Sequence, residues 1–382
     1  MSPADADLTL GAASAWIGPV RLQRLLERFG SADRILAAPA AQVAAVAQMS
    51  LSQAVSLRKF CAGFDVAAEA KALARAGARS LRIGEAGFPK RLLERGQAPL
   101  MLHFRGILPP EGAPAVAIVG TREPTEYGRR MARSLAAGLA QAGVWVVSGL
   151  AAGIDGEAHT ACLDAGGRTL AVVGTGLDHV YPVEHTGLAD RIVAQGGAVL
   201  SQFCCTAGGH KKNFPLRNAV IAGMSLGVVV VEGGSKSGAL ITAERALEQG
   251  LDVFAVPGEA DAPMAQGPLD LLEQGARLVR TASDVLQELG LEPRRPRVRA
   301  TALPAALVDA QPGLDLEPGL EAGSDAEKLW QALRSRPGLE LDAAAELSGL
   351  GAAEMAAALT QLELAGALRL APGGRPELTG GD

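Results

Sequence analysis

Four glycine-bearing turns carry the residue types that hold phosphate oxygens: backbone N–H groups, hydroxyls and cations. Gly120-Thr121-Arg122 offers all three together, with Thr125-Glu-Tyr-Gly128 opening the next helix. Ser148-Gly149-Leu-Ala-Ala-Gly153-Ile-Asp155 and Gly174-Thr-Gly176 follow, and Gly233-Gly234-Ser235-Lys236-Ser237-Gly238 leads into a helix. Between the last two turns lies Gly208-Gly-His-Lys-Lys-Asn-Phe-Pro-Leu-Arg-Asn218, read as a non-periodic loop. There Lys211, Lys212 and Arg217 can neutralise phosphates, Phe214 can stack a base, and Asn218 can hydrogen-bond a base edge. Arg122 and Arg217 are both read as surface cations whose joint loss would abolish most binding and leave thermal unfolding unchanged.

The same residues exclude several chemistries. Gly174-Thr-Gly176 has His179 where a dinucleotide fingerprint needs its third Gly, and Gly233-Gly-Ser-Lys-Ser lacks the spacing of an NTPase phosphate loop. No Gly-x-Ser-x-Gly elbow occurs. Asp155 and His159 lie one helical turn apart and could pair, but no third ligand stands at coordinating spacing. Neither a cofactor nor a metal is expected. Tyr127 and Tyr181 lie in apolar settings and read as core before contact. Cys61, Cys162, Cys204 and Cys205 match no zinc-finger spacing and fit a reducing compartment.

These turns need elements to aim them. Before each turn runs a short apolar segment: Val116-Ala-Ile-Val119, Val144-Trp-Val-Val147, Thr169-Leu-Ala-Val-Val173 and Val228-Val-Val-Val231. Ala198-Val-Leu200 and Val253-Phe-Ala-Val256 are two more of the same kind, and amphipathic stretches separate them. That alternation predicts an α/β core with a parallel sheet covered on both faces, and ligands in such sheets sit at the strands' carboxyl ends. Residues 1–80 read as an all-helical domain, in which Ile17-Gly18-Pro19-Val20 resembles half of a helix-hairpin-helix, a DNA phosphate contact or mere punctuation. Residues 81–290 form the core and residues 291–323 a Pro- and Ala-rich linker carrying Arg294, Arg295, Arg297 and Arg299. Residues 324–382, three helical segments and a hairpin, suggest a winged helix.

The 382 residues allow two to three domains, and 48% hydrophobic with 20% charged residues is ordinary for a globular chain. Aromatics at 3% exclude a mechanism built on many stacked rings, and the net charge of −5 argues against coating nucleic acid non-specifically. The charge is uneven: nine Lys/Arg against six Asp/Glu in residues 1–80, five against nine in 324–382. No signal peptide or membrane span is expected.

In order and spacing, Val116-Ala-Ile-Val-Gly-Thr-Arg122, Ser148-Gly-Leu-Ala-Ala-Gly-Ile-Asp155, Tyr181-Pro182, Phe214-Pro-Leu-Arg-Asn218, Lys236-Ser-Gly-Ala-Leu-Ile-Thr-Ala243 and Val256-Pro-Gly258 resemble the DNA-processing protein A family, DprA or Smf. The likeness spans residues 88–285. It implies an extended Rossmann-like fold in a cytoplasmic, homodimeric protein that binds single-stranded DNA and loads RecA onto it in transformation, with no catalysis. Carried over residue by residue, DNA contacts fall on Gly120, Thr121 and Arg122, on Lys211 or Lys212, Phe214, Arg217 and Asn218, and on Lys236, Ser237 and Gly238. Thr121, Gln202 and Ala219 depart from the pattern: Thr121 keeps the hydroxyl of the usual Ser, and the missing cation at 219 puts affinity in question. The rival class is a nucleotide N-glycosidic hydrolase with Glu232 as general acid or base. The candidate recognition helix of the winged helix, residues 352–364, holds Glu354 and Glu363 and no Lys or Arg. That domain is therefore expected to bind protein or regulate the core by covering its basic groove, with only Arg369 and Arg375 to meet a duplex.

Overall fold

The valine-rich runs become strands because β-branched side chains suit a pleated surface buried on both faces. In the computed structural model, nine strands form one sheet: β1 (Arg79–Arg82), β2 (Met101–Gly106), β3 (Ala115–Val119), β4 (Trp145–Ser148), β5 (Thr169–Val172), β6 (Ala198–Ser201), β7 (Gly227–Val230), β8 (Asp252–Ala255) and β9 (Arg277–Leu278). Their order is β1-β2-β6-β5-β4-β3-β7-β8-β9. Strands β3 to β9 pair in parallel, whereas β2 runs antiparallel to both β1 and β6. The structure describes residues 2–96, 98–291, 323–336, 339, 341–364, 367–370 and 376–378.

Alternate residues of each strand feed opposite cores. Val116, Ile118, Val146, Val229 and Phe254 pack with the helices Glu126–Gln141 and Ile154–Asp164. Ala117, Val119, Val147, Val172, Val228 and Val230 pack with the helices Asn213–Gly223 and Gly238–Glu248. Each fully buried Val, Ile or Phe contributes about 1.5–3 kcal/mol, which fixes strand register and so the position of every loop at the sheet's ends.

The helical region is cut by its own punctuation. Ser2 and Ser50 close capping boxes on the helices Pro3–Ile17 and Leu51–Gly63. Gly18, at φ 79, turns the chain into the helix Pro19–Phe29, with Pro19 in its first turn. Leu10, Leu22, Leu25, Ile35, Val43 and Leu57 share one core with Leu100 and Met101 of the sheet region. A Cβ on Gly11 would meet Met101 Cγ at 2.5 Å. The chain accordingly divides into two compact units, Met1–Val298 and Arg299–Asp382, with the helical region inside the first.

The second unit holds the helices Asp325–Ser335, Leu341–Ser348 and Ala352–Leu364 and the antiparallel pair Leu368–Leu370 with Pro376–Leu378, a winged helix around Leu329, Leu333, Met355, Ala358 and Leu362. Ala352, Ala353, Glu354, Ala356 and Glu363 are exposed on the third helix. The linker arginines Arg294, Arg295, Arg297 and Arg299, and Arg375, lie outside the described residues.

His103 of β2 is 3% exposed, and its Nδ1 lies 2.7 Å from Ser80 Oγ of β1. Burial pushes its pKa down to about 4. Below pH about 6.5 the unfolded chain binds a proton that the folded chain refuses, so stability falls as pH falls, by up to about 1.4 kcal/mol per unit. Glu69 and Asp155, whose carboxyl pKa values burial raises, act with the opposite sign. Comparison with His103→Asn isolates the histidine: denaturant unfolding from pH 6.5 to 5 should move the stability gap by about 1.5 kcal/mol in the variant's favour. Parallel pH profiles would contradict this.

Candidate functional site

Strand order reverses beside β3: the chain runs outward through β4, β5 and β6, then returns to place β7 against the other edge of β3. Loops leaving β3 and β7 therefore diverge and open a crevice, the position where doubly wound sheets take ligands. Thr121 N–H donates to Glu232 O at 2.7 Å and Ile154 N–H to Thr121 O at 3.1 Å, which binds the β3 loop to both neighbours. A cavity of about 530 Å³ fills the crevice.

Gly120, Thr121, Arg122, Phe214, Arg217, Asn218, Lys236, Ser237 and Gly238 all line it, joined by Asp155 and Thr242. Lys211 and Lys212 do not; both are exposed just before the helix Asn213–Gly223. The segment read as a loop is thus half helix, a form Pro215 tolerates because a helix's first turn needs no N–H donor there. Asn213 pins that start by donating Nδ2 to Gly174 O at 3.1 Å.

Within that helix the two polar residues expected at DNA are buried. Arg217 is 5% exposed, and its guanidinium donates to Gly149 O and Val172 O, each at 2.5 Å. Its Nε has no partner. Burial lowers its pKa to about 10, opposed by the charge of Asp155, so Arg217 stays charged at neutral pH. Asp155 in turn accepts from Gly149 N at 3.1 Å and Ala151 N at 3.3 Å. Gly149 must be Gly, because a Cβ would meet the guanidinium at 2.2 Å. Asn218 donates Nδ2 to Gly238 O at 3.2 Å and so fixes the turn after β7.

Phe214 lies against Gly174, whose added Cβ would meet its ring at 2.9 Å, and Gly176 is closed by Cys205 O at 1.8 Å. The third glycine turn lends no backbone to the crevice cavity, but Gly174 lines a smaller one of about 50 Å³ with Arg122, Tyr181 and Phe214. Arg122 is exposed, with its guanidinium carbon 5.5 Å from the Phe214 ring centre. Tyr181, expected in the core, is 51% exposed with its ring centre 6.1 Å from that of Phe214. Tyr127 donates its hydroxyl to Pro257 O at 2.6 Å and packs on the core as expected.

The acid–base candidates are otherwise engaged. Glu232 is 5% exposed; its Oε2 accepts from Thr125 N at 2.9 Å and its Oε1 from the Thr125 hydroxyl at 2.5 Å. Both carboxylate oxygens anchor the start of the helix Glu126–Gln141. Asp155 and His159 do not pair: His159 Nδ1 meets Thr169 Oγ1 at 2.7 Å, while its buried Nε2 has no partner and burial drives its pKa down to about 3. Burial raises the thiols of Cys61 and Cys204 to about 11 and that of Cys162 to about 12, away from the reactive thiolate form. Glu69 escaped the sequence reading. Buried in the helix Val66–Arg75, it accepts Cys205 N–H at 2.6 Å and ties the helical region to the segment leading into Lys211. The departures Gln202 and Ala219 fall together in a separate cavity of about 290 Å³ on the other side of the Asn213 helix, so the residue at 219 costs the crevice no cation.

Fold and site define a doubly wound α/β protein with a crevice at its switch point lined by Arg122, Arg217 and Lys236. Residues 79–290 match the family described as DNA recombination-mediator protein A, and residues 316–374 match the DprA winged helix domain. Protein Smf of Synechocystis is 36% identical over 314 residues, 75% of this chain and 77% of that one. DNA processing protein DprA of Bacillus subtilis is 47% identical over 174 residues, 46% of this chain and 58% of that one. The X-ray structure of DprA from Streptococcus pneumoniae superposes with a TM-score of 0.62 at 33% identity, covering 73% of this chain and 96% of that chain. The chain belongs to the DNA recombination-mediator protein A family.

The two crevice arginines should separate in stability. Arg217→Ala strands two carbonyls and removes the positive charge near the buried Asp155, and should cost about 3 kcal/mol or more in denaturant unfolding. Arg122→Ala removes an exposed side chain and should cost under about 0.5 kcal/mol. Equal costs would contradict the assignment of Arg217 as the internal tie, which replaces its reading as a surface cation.

Proposed function

We propose that the crevice binds single-stranded DNA through its phosphates and presents the strand for recombination, serving RecA loading in transformation. The carrying observation is the convergence of Arg122, Lys236 and the buried Arg217 on one cavity with the backbone of the turns after β3 and β7. The exposed Arg122 and Lys236, with the charge of the buried Arg217 behind them, suit successive phosphates, while Phe214 gives one base a stacking face. Base edges find few fixed partners, since Asn218 is spent on Gly238, so sequence preference is weak. The curated relatives' names, DNA processing protein among them, support this reading.

The protein acts by binding and not by catalysis in this reading, because Glu232 is held as a helix anchor. A homodimer in the cytoplasm gives a bivalent grip on one strand. No helix among the described residues is long and apolar enough to cross a membrane. The winged helix, with Glu354 and Glu363 exposed on its third helix, serves a protein contact in preference to duplex reading.

A titration with oligothymidylate and with duplex across a salt series tests the proposal. At about 0.7 per phosphate, three to five cations give a slope of log K against log salt between about −2 and −3.5. Arg122→Ala should weaken oligothymidylate binding about 5-fold or more. A slope near zero, or tighter binding to duplex, would refute the proposal, and nucleoside release lost in Glu232→Gln would restore the hydrolase.

A further inference from the structure

The Asn213 helix has a second side. Phe214, Arg217 and Asn218 face the crevice, whereas Pro215, Leu216 and Ala219 face the cavity of about 290 Å³. The far wall of that cavity is the Gly18 turn, with Pro19 and Val20, and Arg245 stands at its lining. One helix thickness therefore separates the crevice from the helical region, inside a single compact unit. Val20 is 52% exposed, so this turn presents an apolar surface to solvent beside the crevice.

From the turn runs the helix Pro19–Phe29, with Arg21, Arg24 and Arg28 spaced three and four residues apart along one side. Leu22 and Leu25 bury the adjoining face, so the row flanks the core, with Arg21 and Arg24 half-buried and Arg28 exposed. Among the described residues Arg21 and Arg28 make no hydrogen bond or ion pair, and Arg24 donates only to Gln48 Oε1 at 2.6 Å. The helix's one acid, Glu27, accepts the amide of Gln23 at 2.9 Å. A row of three guanidiniums without carboxylate partners fits a polyanion that arrives from the crevice.

We propose that the bound single strand continues from the crevice over the first turn of the Asn213 helix to the Gly18 turn, and lays its phosphates along Arg21, Arg24 and Arg28. The inference rests on the single-strand reading of the crevice. It makes the helical region a second segment of one track, reached only by strands longer than the crevice holds. Apolar walls at Pro19, Val20 and Leu216 suit a sugar or base face at the crossing.

The test compares oligothymidylates of about 5 and about 20 nucleotides on the full chain, its Arg21→Ala/Arg28→Ala variant and its Arg122→Ala variant. The double variant should lose about 10-fold in affinity for the long strand, with a salt slope shallower by about 1.4, and bind the short one as the parent does. Full affinity for the long strand in the double variant, with Arg122→Ala still impaired, would overturn the extension alone. Equal losses on both lengths would also overturn it, since the arginines would then act on the crevice or the fold. If Arg122→Ala itself binds both strands normally, the crevice reading falls and takes the extension with it.

Discussion

Arg217 carries a positive charge into a layer that excludes water, and such burial costs several kcal/mol unless each donor finds an acceptor. The chain answers with the carbonyls that end β4 and β5, those of Gly149 and Val172, and with the nearby charge of Asp155. Asp155 is itself fixed by the N–H groups of Gly149 and Ala151. The segment 149–155 and the end of β5 are thereby tied to one side chain of a third segment, the Asn213 helix. The exposed Arg122 and Lys236 and the buried Arg217 then line a cavity whose walls are already held, and a site held in advance lowers the ordering cost of binding.

Close approach in this layer explains much of its glycine. Gly149 admits the guanidinium and Gly174 admits the Phe214 ring. Gly128 lets Glu232 reach the start of the helix Glu126–Gln141, where a Cβ would stand 2.1 Å from a carboxylate oxygen. At Gly153, φ is +80 and a Cβ would meet Thr121 O at 2.4 Å, so both its conformation and its neighbour exclude a side chain. The turns look alike in sequence, yet some approach a prospective ligand and others approach the protein's own side chains.

That distinction marks where sequence reading stops. All six apolar runs of the parallel sheet were legible within a residue, because burial on both faces writes an uninterrupted signal. The antiparallel β1, Arg-Ser-Leu-Arg, and the two-residue β9 carry no such signal and owe their existence to their neighbours. Nine of the eleven residues named for the site meet at one cavity, since strand ends place them automatically. What their side chains do there was not legible. Arg217 reads as a solvated cation until the carbonyls that bind it are seen, Tyr181 reads as core until the chain is found to leave it exposed, and Glu69 has no local motif because its partner lies 136 residues away. The helix through Phe214 was hidden by Pro215 and by a flanking run of cations.

Hydrogen exchange of the full chain, with and without oligothymidylate at saturating concentration, is the most direct measurement of the central claim. The account expects new protection at the amides of Thr121 to Glu123 and Gly234 to Gly238, with none at Ile107 to Ala113 at the sheet's opposite end. Binding that leaves both turns unprotected while protecting the winged helix alone would contradict it.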